Sequence, residues 1–296
     1  MRIVSLLPSA TEIVFALGCG ADLVGVTFEC DYPPEARSRR VVSTSALPEG
    51  LTPAEIDAVV TERIAAGEDL YRLDRDALAD LDADLVLTQD LCAVCAVDVS
   101  EVDDALAYLG CTAEVLTLDP RSVSQVLASI VAVGAQLGVA ETAQSLVDGL
   151  QARLDGLGRA LAAAPRPPVL VLEWTDPPFT AGHWVPDLVT AGGGRAVLAH
   201  PGHDSQRVDW DAVRSAPAEV VLVSPCGYHL DASAELGSAL VERGAVPDGA
   251  AVWAVDADSY FVRPGPRVVD GAEIVAGILH PDVVGAPDPA TARRLR

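Results

Sequence analysis

Arg2-Ile3-Val4-Ser5-Leu6-Leu7-Pro8-Ser9-Ala10-Thr11-Glu12-Ile13-Val14-Phe15 opens the chain, and its reading decides the fold. Residues 2–7 are largely apolar and stop at Pro8, which reads as a buried strand. Ser9 and Glu12 then carry the Ser-x-x-Glu spacing of a helix capping box, ahead of the apolar run Ile13-Val14-Phe15. A buried strand followed at once by a helix is the repeating unit of a parallel α/β layer. Working outward, residues 23–27, 84–88 and 113–118 read as further strands, separated by helices such as 53–66 and 75–81.

Two helical stretches follow, 122–137 and 140–163, with Gly138 at the break between them. In the second, Leu146, Leu150, Leu154, Leu157 and Leu161 recur at three- and four-residue steps, the stripe of a core-facing helix. Pro165-Arg166-Pro167-Pro168 ends the helical region and a second alternation begins. Its strands are 169–174, 219–224 and 251–255, its final helix is 270–279, and residues 286–296 read as a polar tail. The expected architecture is therefore α/β throughout: a lobe over residues 1–121, connecting helices over 122–164, and a second lobe over 165–296. A rigid helix joining two such lobes predicts limited hinge motion and a ligand cleft between their strand ends.

Composition bounds the function. At 296 residues, half of them hydrophobic, the chain is long enough for two domains with well-buried cores. The formal charge is −23 and every one of the 20 basic residues is Arg. So acidic a surface repels nucleic-acid phosphates and anionic lipids, which argues against both as partners. No apolar run reaches the length that crosses a bilayer, so membrane insertion is not expected. Ala16-Leu17-Gly18-Cys19 faintly mimics a lipoprotein signal, but Pro8, Ser9, Thr11 and Glu12 interrupt the segment that should be apolar. The expectation is a mature N-terminus at Met1, a cytoplasmic location and reduced cysteines.

Aromatic residues make up only 4% of the chain, yet several fall at strand ends or on Pro-rich turns. Phe28 and Tyr32 in the first lobe, and Phe179, Trp184, Tyr260 and Phe261 in the second, are candidate walls for a large flat ligand. His183, between Gly182 and Trp184, is placed either to meet a metal centre or to bond backbone at a helix start. His200, His203 and Asp204 form a second cluster around a Pro-Gly turn. Cys92-x-x-Cys95 has redox or metal-ligand spacing, and Cys226 also follows a strand. Facing lobes would let Cys92, Cys95, Glu173, His183 and Cys226 converge on one metal. Arg263 is a cation for a polar group of the ligand or a partner in a salt bridge. Gly192-Gly193-Gly194 lacks the Lys of a phosphate loop, and no nucleophile-elbow or kinase signature is present.

These stretches resemble one family. The opening 2–12, the loop Cys30-Asp31-Tyr32-Pro33-Pro34-Glu35-Ala36, residues 176–182 and Tyr260-Phe261-Val262-Arg263-Pro264-Gly265-Pro266-Arg267 are similar, in order, to ligand-side segments of cobalamin-binding proteins serving ABC importers. The resemblance covers residues 1–280. It implies two α/β lobes with a helical backbone between them, and a corrinoid or similar chelate held between aromatic faces. Three departures accompany it. The secretion signal is missing, so docking to an importer is not expected; residues 43–73 are longer; and residues 90–97 resemble a cytoplasmic subgroup. The leading expectation is a non-catalytic cytoplasmic binding protein for a small metal chelate. The alternative is a metal-dependent enzyme on the same fold, using cobalt, iron or zinc.

Overall fold

The computed structural model describes residues 1–89 and 113–296. Its first unit comprises Met1–Pro120 and Leu127–Val147, and its second Arg121–Val126 and Asp148–Arg296. Cys92 and Cys95 fall outside the described residues.

In the first unit β1 (Ile3–Ser5), β2 (Leu23–Thr27), β3 (Arg40–Ser45), β4 (Tyr71–Leu73), β5 (Leu85–Thr88) and β6 (Glu114–Thr117) form one sheet. The order is β4-β3-β2-β1-β5-β6, parallel except where β4 runs antiparallel to β3. β1 is interior, and Ile3, Val4 and Ser5 are fully buried, as a strand covered on both faces requires. Val4, Val42, Leu78 and Val86 belong to the core on one side of it.

α1 (Pro8–Ala16) begins two residues earlier than the Ser9-Glu12 spacing predicts. Its N-cap is Leu7, with no side-chain cap, and Ser9 and Glu12 are buried within the helix. Pro8 explains the difference: its ring presets helical φ, and at the first helical position its missing N–H costs nothing. The capping box of this unit stands instead at α2 (Pro53–Ala66). There Thr52 N donates to Glu55 Oε2 at 2.8 Å and Glu55 N to Thr52 Oγ1 at 3.4 Å. The Thr52 N–H, and then its hydroxyl, both donating to Oε2, hold the Glu55 carboxyl below its usual range. α3 (Arg75–Leu81) is capped by Asp74 through Ala77 N.

α4 (Val123–Gln136) and α5 (Ala140–Ala160) lie where the helical periodicity predicts, and Gly138 between them takes the left-handed φ of 71° that favours glycine. Along the leucine stripe, Leu150, Leu157 and Leu161 are buried.

The second unit is built on β7 (Pro168–Thr175), β8 (Pro178–Thr180), β9 (Arg195–Ala196), β10 (Gln206–Arg207), β11 (Val220–Val223), β12 (Ala251–Val255) and β13 (Ala292–Arg294). They follow the order β10-β8-β7-β11-β12-β13, with β9 also paired to β7. β7, β11 and β12 are parallel and in continuous register, Leu172 facing Val223 and Val223 facing Ala254. The helices are α6 (Val185–Ala191), α7 (Trp210–Ser215), α8 (Leu230–Glu242), α9 (Ala257–Tyr260), α10 (Val268–Leu279) and α11 (Pro281–Val284). Residues 292–294 of the polar tail are an ordered edge strand, with Arg294 opposite Trp253. Gly192, Gly193 and Gly194 are small for packing: a Cβ on Gly192 would stand 2.6 Å from Val275 and one on Gly193 2.7 Å from His280.

Candidate functional site

Three parallel strands of the second unit end side by side, and their following loops carry most of its chemistry. β7 leads into Asp176-Pro177, β11 into Ser224-Pro225-Cys226-Gly227-Tyr228-His229, and β12 into Asp256 and the single turn α9. Carboxyl ends of parallel strands are where α/β folds place ligands, because loops there are free to vary above a rigid sheet.

Backbone bonds tie the loops together. Cys226 N donates to Glu173 O at 3.0 Å and Asp258 N to Tyr228 O at 3.1 Å. Trp174 and Tyr228 meet edge to face, ring centroids 5.7 Å apart at 63°, both half-buried. The indole N–H of Trp174 donates to Asp176 O at 3.1 Å, fixing its ring. Burial, and then Cys226 nearby, raise the Tyr228 phenol above its usual range, so it stays protonated at neutral pH. The hydroxyls of Thr175 and Ser224 are buried and make no hydrogen bond among the described residues.

Around His229 the geometry is polar. Its Nδ1 lies 3.0 Å from Asp256 Oδ1 and its Nε2 3.5 Å from Asp258 Oδ2. Asp256 caps α9, accepting from Ser259 N at 3.1 Å. Arg263 is buried and ion-paired with Asp258, the salt-bridge role among its two sequence readings. Tyr260 is half-buried with Arg267 stacked on its ring at 5.5 Å. Tyr260 also borders a cavity of about 490 Å³ between α5, α10 and residues 284–291. Two of that cavity's carboxylates, Asp270 and Glu273, are held by Arg153.

The remaining sequence candidates fall into three groups. Phe28 and Tyr32 of the first unit are exposed, at 43% and 44%, and the Phe28 ring lies 6.3 Å from that of Tyr71. Trp184 and Phe261 are interior: Phe261 is fully buried, and Trp184 Nε1 donates to its carbonyl at 2.7 Å. Phe179 lies on β8, opposite Trp174 and Arg207.

Glu173 and His183 sit in a third cluster. The Glu173 carboxylate accepts from Gly182 N at 3.2 Å and from the Ser205 hydroxyl. His183 has a left-handed φ of 47°, its N–H bonds His203 O at 2.6 Å, and its Nε2 lies 3.2 Å from Asp204 Oδ1. Asp204 is in turn paired with Arg121 at 2.9 Å, which lowers its pKa. Burial lowers the His183 pKa, against the opposing pull of Asp204. His200 and His203 shape the same turn through main-chain bonds.

The model of a family described as periplasmic binding protein matches residues 3–240. The chain belongs to that family. This periplasmic-binding-protein chain is 25% identical over 281 residues to a vitamin B12-binding protein of Vibrio cholerae, covering 94% of this chain and 88% of the relative. It is 27% identical over 293 residues, 95% of this chain and 80% of the relative, to an uncharacterized ABC transporter substrate-binding lipoprotein, YvrC, of Bacillus subtilis. Among solved structures, a periplasmic heme-binding protein of Pseudomonas aeruginosa superposes with a TM-score of 0.72 at 19% identity, over 99% of this chain and 97% of the other. That likeness establishes the two-lobed α/β fold. Trp174, Tyr228 and His229 were absent from the sequence candidates, and the signal that could have found them is their place at the ends of β7 and β11.

Proposed function

We propose that this protein binds a corrinoid or a related metal chelate such as a heme, on the loops that follow its parallel strands. The observation that carries the reading is the Trp174–Tyr228 edge-to-face pair at the carboxyl ends of β7 and β11. A ring pair in which Trp174 is fixed by its own hydrogen bond loses little entropy when a flat macrocycle settles against it. The relatives support the same reading, since a vitamin B12-binding protein and a periplasmic heme-binding protein are among them. No covalent step is required: burial and stacking of the macrocycle supply the binding energy, and the polar groups around His229 fix orientation. A cytoplasmic location belongs to this proposal and is checked by cell fractionation.

The reading is tested by titrating the reduced protein with hydroxocobalamin and, separately, hemin, following tryptophan fluorescence and the visible bands together. Saturable quenching near one equivalent with either chelate supports it. Absence of quenching with both at tens of micromolar, the weak end of specific recognition, removes it.

A further inference from the structure

α5 belongs to both units: the first holds it up to Val147 and the second from Asp148. It is 21 residues long, about 31 Å at a rise of 1.5 Å per residue, and each half is held by its own unit. In the first half Ala143 is fully buried. A Cβ on Gly134 of α4 would stand 2.2 Å from the Ala143 Cβ, so the two helices approach closely there. In the second half Leu150 and Leu157 are buried, and Arg153 is ion-paired with Asp270 and Glu273 of α10.

Between these anchors little holds the helix straight. No residue from Gln144 to Gly149 is buried, and only Leu146 and Val147 are half-buried. Gly149 follows the change of unit by two residues. Glycine inside a helix is disfavoured against alanine by about fivefold per residue, because its backbone is freer to leave the helical conformation. A helical glycine is explained where a neighbour leaves no room for a Cβ, as Ala143 does for Gly134. Gly149 has no such reason. A Cβ on it would have no neighbour within 4 Å, and its φ is not in the left-handed region.

α4 also passes from one unit to the other, between Val126 and Leu127, but there the crossing is close to the helix start. Only its first turn lies with the second unit, where Asp187 accepts from Val123 N at 3.0 Å. Val126, Leu127, Ile130 and Val133 are all buried, so α4 is supported through its crossing. A helix attached by its end turn pivots on terminal residues, whereas one held on both sides of its crossing has to bend. Gly158 supplies an internal comparison. It is exposed and equally without a Cβ neighbour within 4 Å, yet it lies wholly within the second unit.

We propose that α5 bends at Gly149, so that its first-unit half and its second-unit half turn against one another about this residue. Both anchors stay intact during the bend. It lengthens only the few main-chain bonds that span residues 145–153 and opens neither hydrophobic core. The device is independent of which molecule the protein binds, so it goes beyond the function proposed above and is tested without a ligand.

Residual dipolar couplings of the reduced, ligand-free protein in a weakly aligning medium read this motion directly. In wild type the amides of the two units are expected to need alignment tensors of different magnitude, which a rigid body does not give. Gly149→Ala brings the two magnitudes together. Gly158→Ala leaves them apart, although alanine raises the helix preference equally at both positions. Amide hydrogen exchange gives the local reading. The amides of residues 149–153 are expected to exchange about tenfold or more faster than those of residues 154–157, and Gly149→Ala slows them by about fivefold or more. A single tensor for both units of wild type, an unchanged difference in Gly149→Ala, the same effect from Gly158→Ala, or uniform exchange along α5 overturns the assignment.

Discussion

Trp184 Nε1 donates a 2.7 Å hydrogen bond to the main-chain carbonyl of Phe261, joining α6 to the end of α9 in the interior of the second unit. Both side chains are buried, Phe261 completely. Phe261→Ala is therefore expected to lower stability by about 3–5 kcal/mol, the cost of deleting a buried aromatic ring. Denaturant unfolding checks this. A loss under about 1 kcal/mol would mean that the ring is not part of the core.

Gly182 lies where two loops touch. A Cβ there would stand 2.4 Å from Ser205 N and 2.6 Å from His203 O, and main-chain atoms cannot swing aside. Gly182→Ala should destabilise by about 1–3 kcal/mol through overpacking, and should loosen the bond from Gly182 N to Glu173. The midpoint of urea unfolding reports it. An unchanged midpoint would contradict the close approach.

His183 gives the stability a pH dependence of definite sign. Burial is the main cause of its lowered pKa, so the unfolded chain takes up a proton more readily than the folded one. Stability from this group is complete above the ordinary histidine value of about 6.5 and is lost as pH falls below it, through the lower folded value. Asp204, whose pKa is lowered chiefly by Arg121, adds a loss only in the more acidic carboxylate range. Thermal midpoints measured between pH 7 and 5 should fall more steeply for wild type than for His183→Gln. Parallel curves would count against a depressed His183.

Tyr228→Ala removes one ring of the aromatic pair and exposes the edge of Trp174. Chelate binding is expected to weaken by about 2 kcal/mol or more, the size of a buried aromatic anchor, while Tyr228→Phe stays near wild type. Competition between the variants for hydroxocobalamin or hemin measures both. Equal affinities for Ala and Tyr would remove the pair from the binding surface.

The fold was legible where burial is two-sided. β1, β2, β5, β7, β11 and β12 are short apolar runs bounded by turn residues, and the sequence reading placed them to within a residue or two. β3, β4 and β13 escaped it because all three are partly exposed and β4 and β13 span only three residues, so pairing rather than composition makes them strands. At the helix starts the same spacing had two outcomes, a true capping box at Thr52 and Glu55 and none at Ser9 and Glu12, because Pro8 moved the helix start. The candidate site was harder to read. His229 acquires meaning only from Asp256 on the neighbouring strand's loop, and Trp184 and Phe261 acquire theirs from each other. Such pairings are long-range and leave no local pattern. The pair Cys92 and Cys95 lies outside the described residues.

The central claim is that this chain retains a metal chelate, and equilibrium dialysis of the reduced protein tests it most directly. Against hydroxocobalamin, or against hemin, the account predicts about one equivalent held at micromolar free chelate. Retention of neither at tens of micromolar would contradict it.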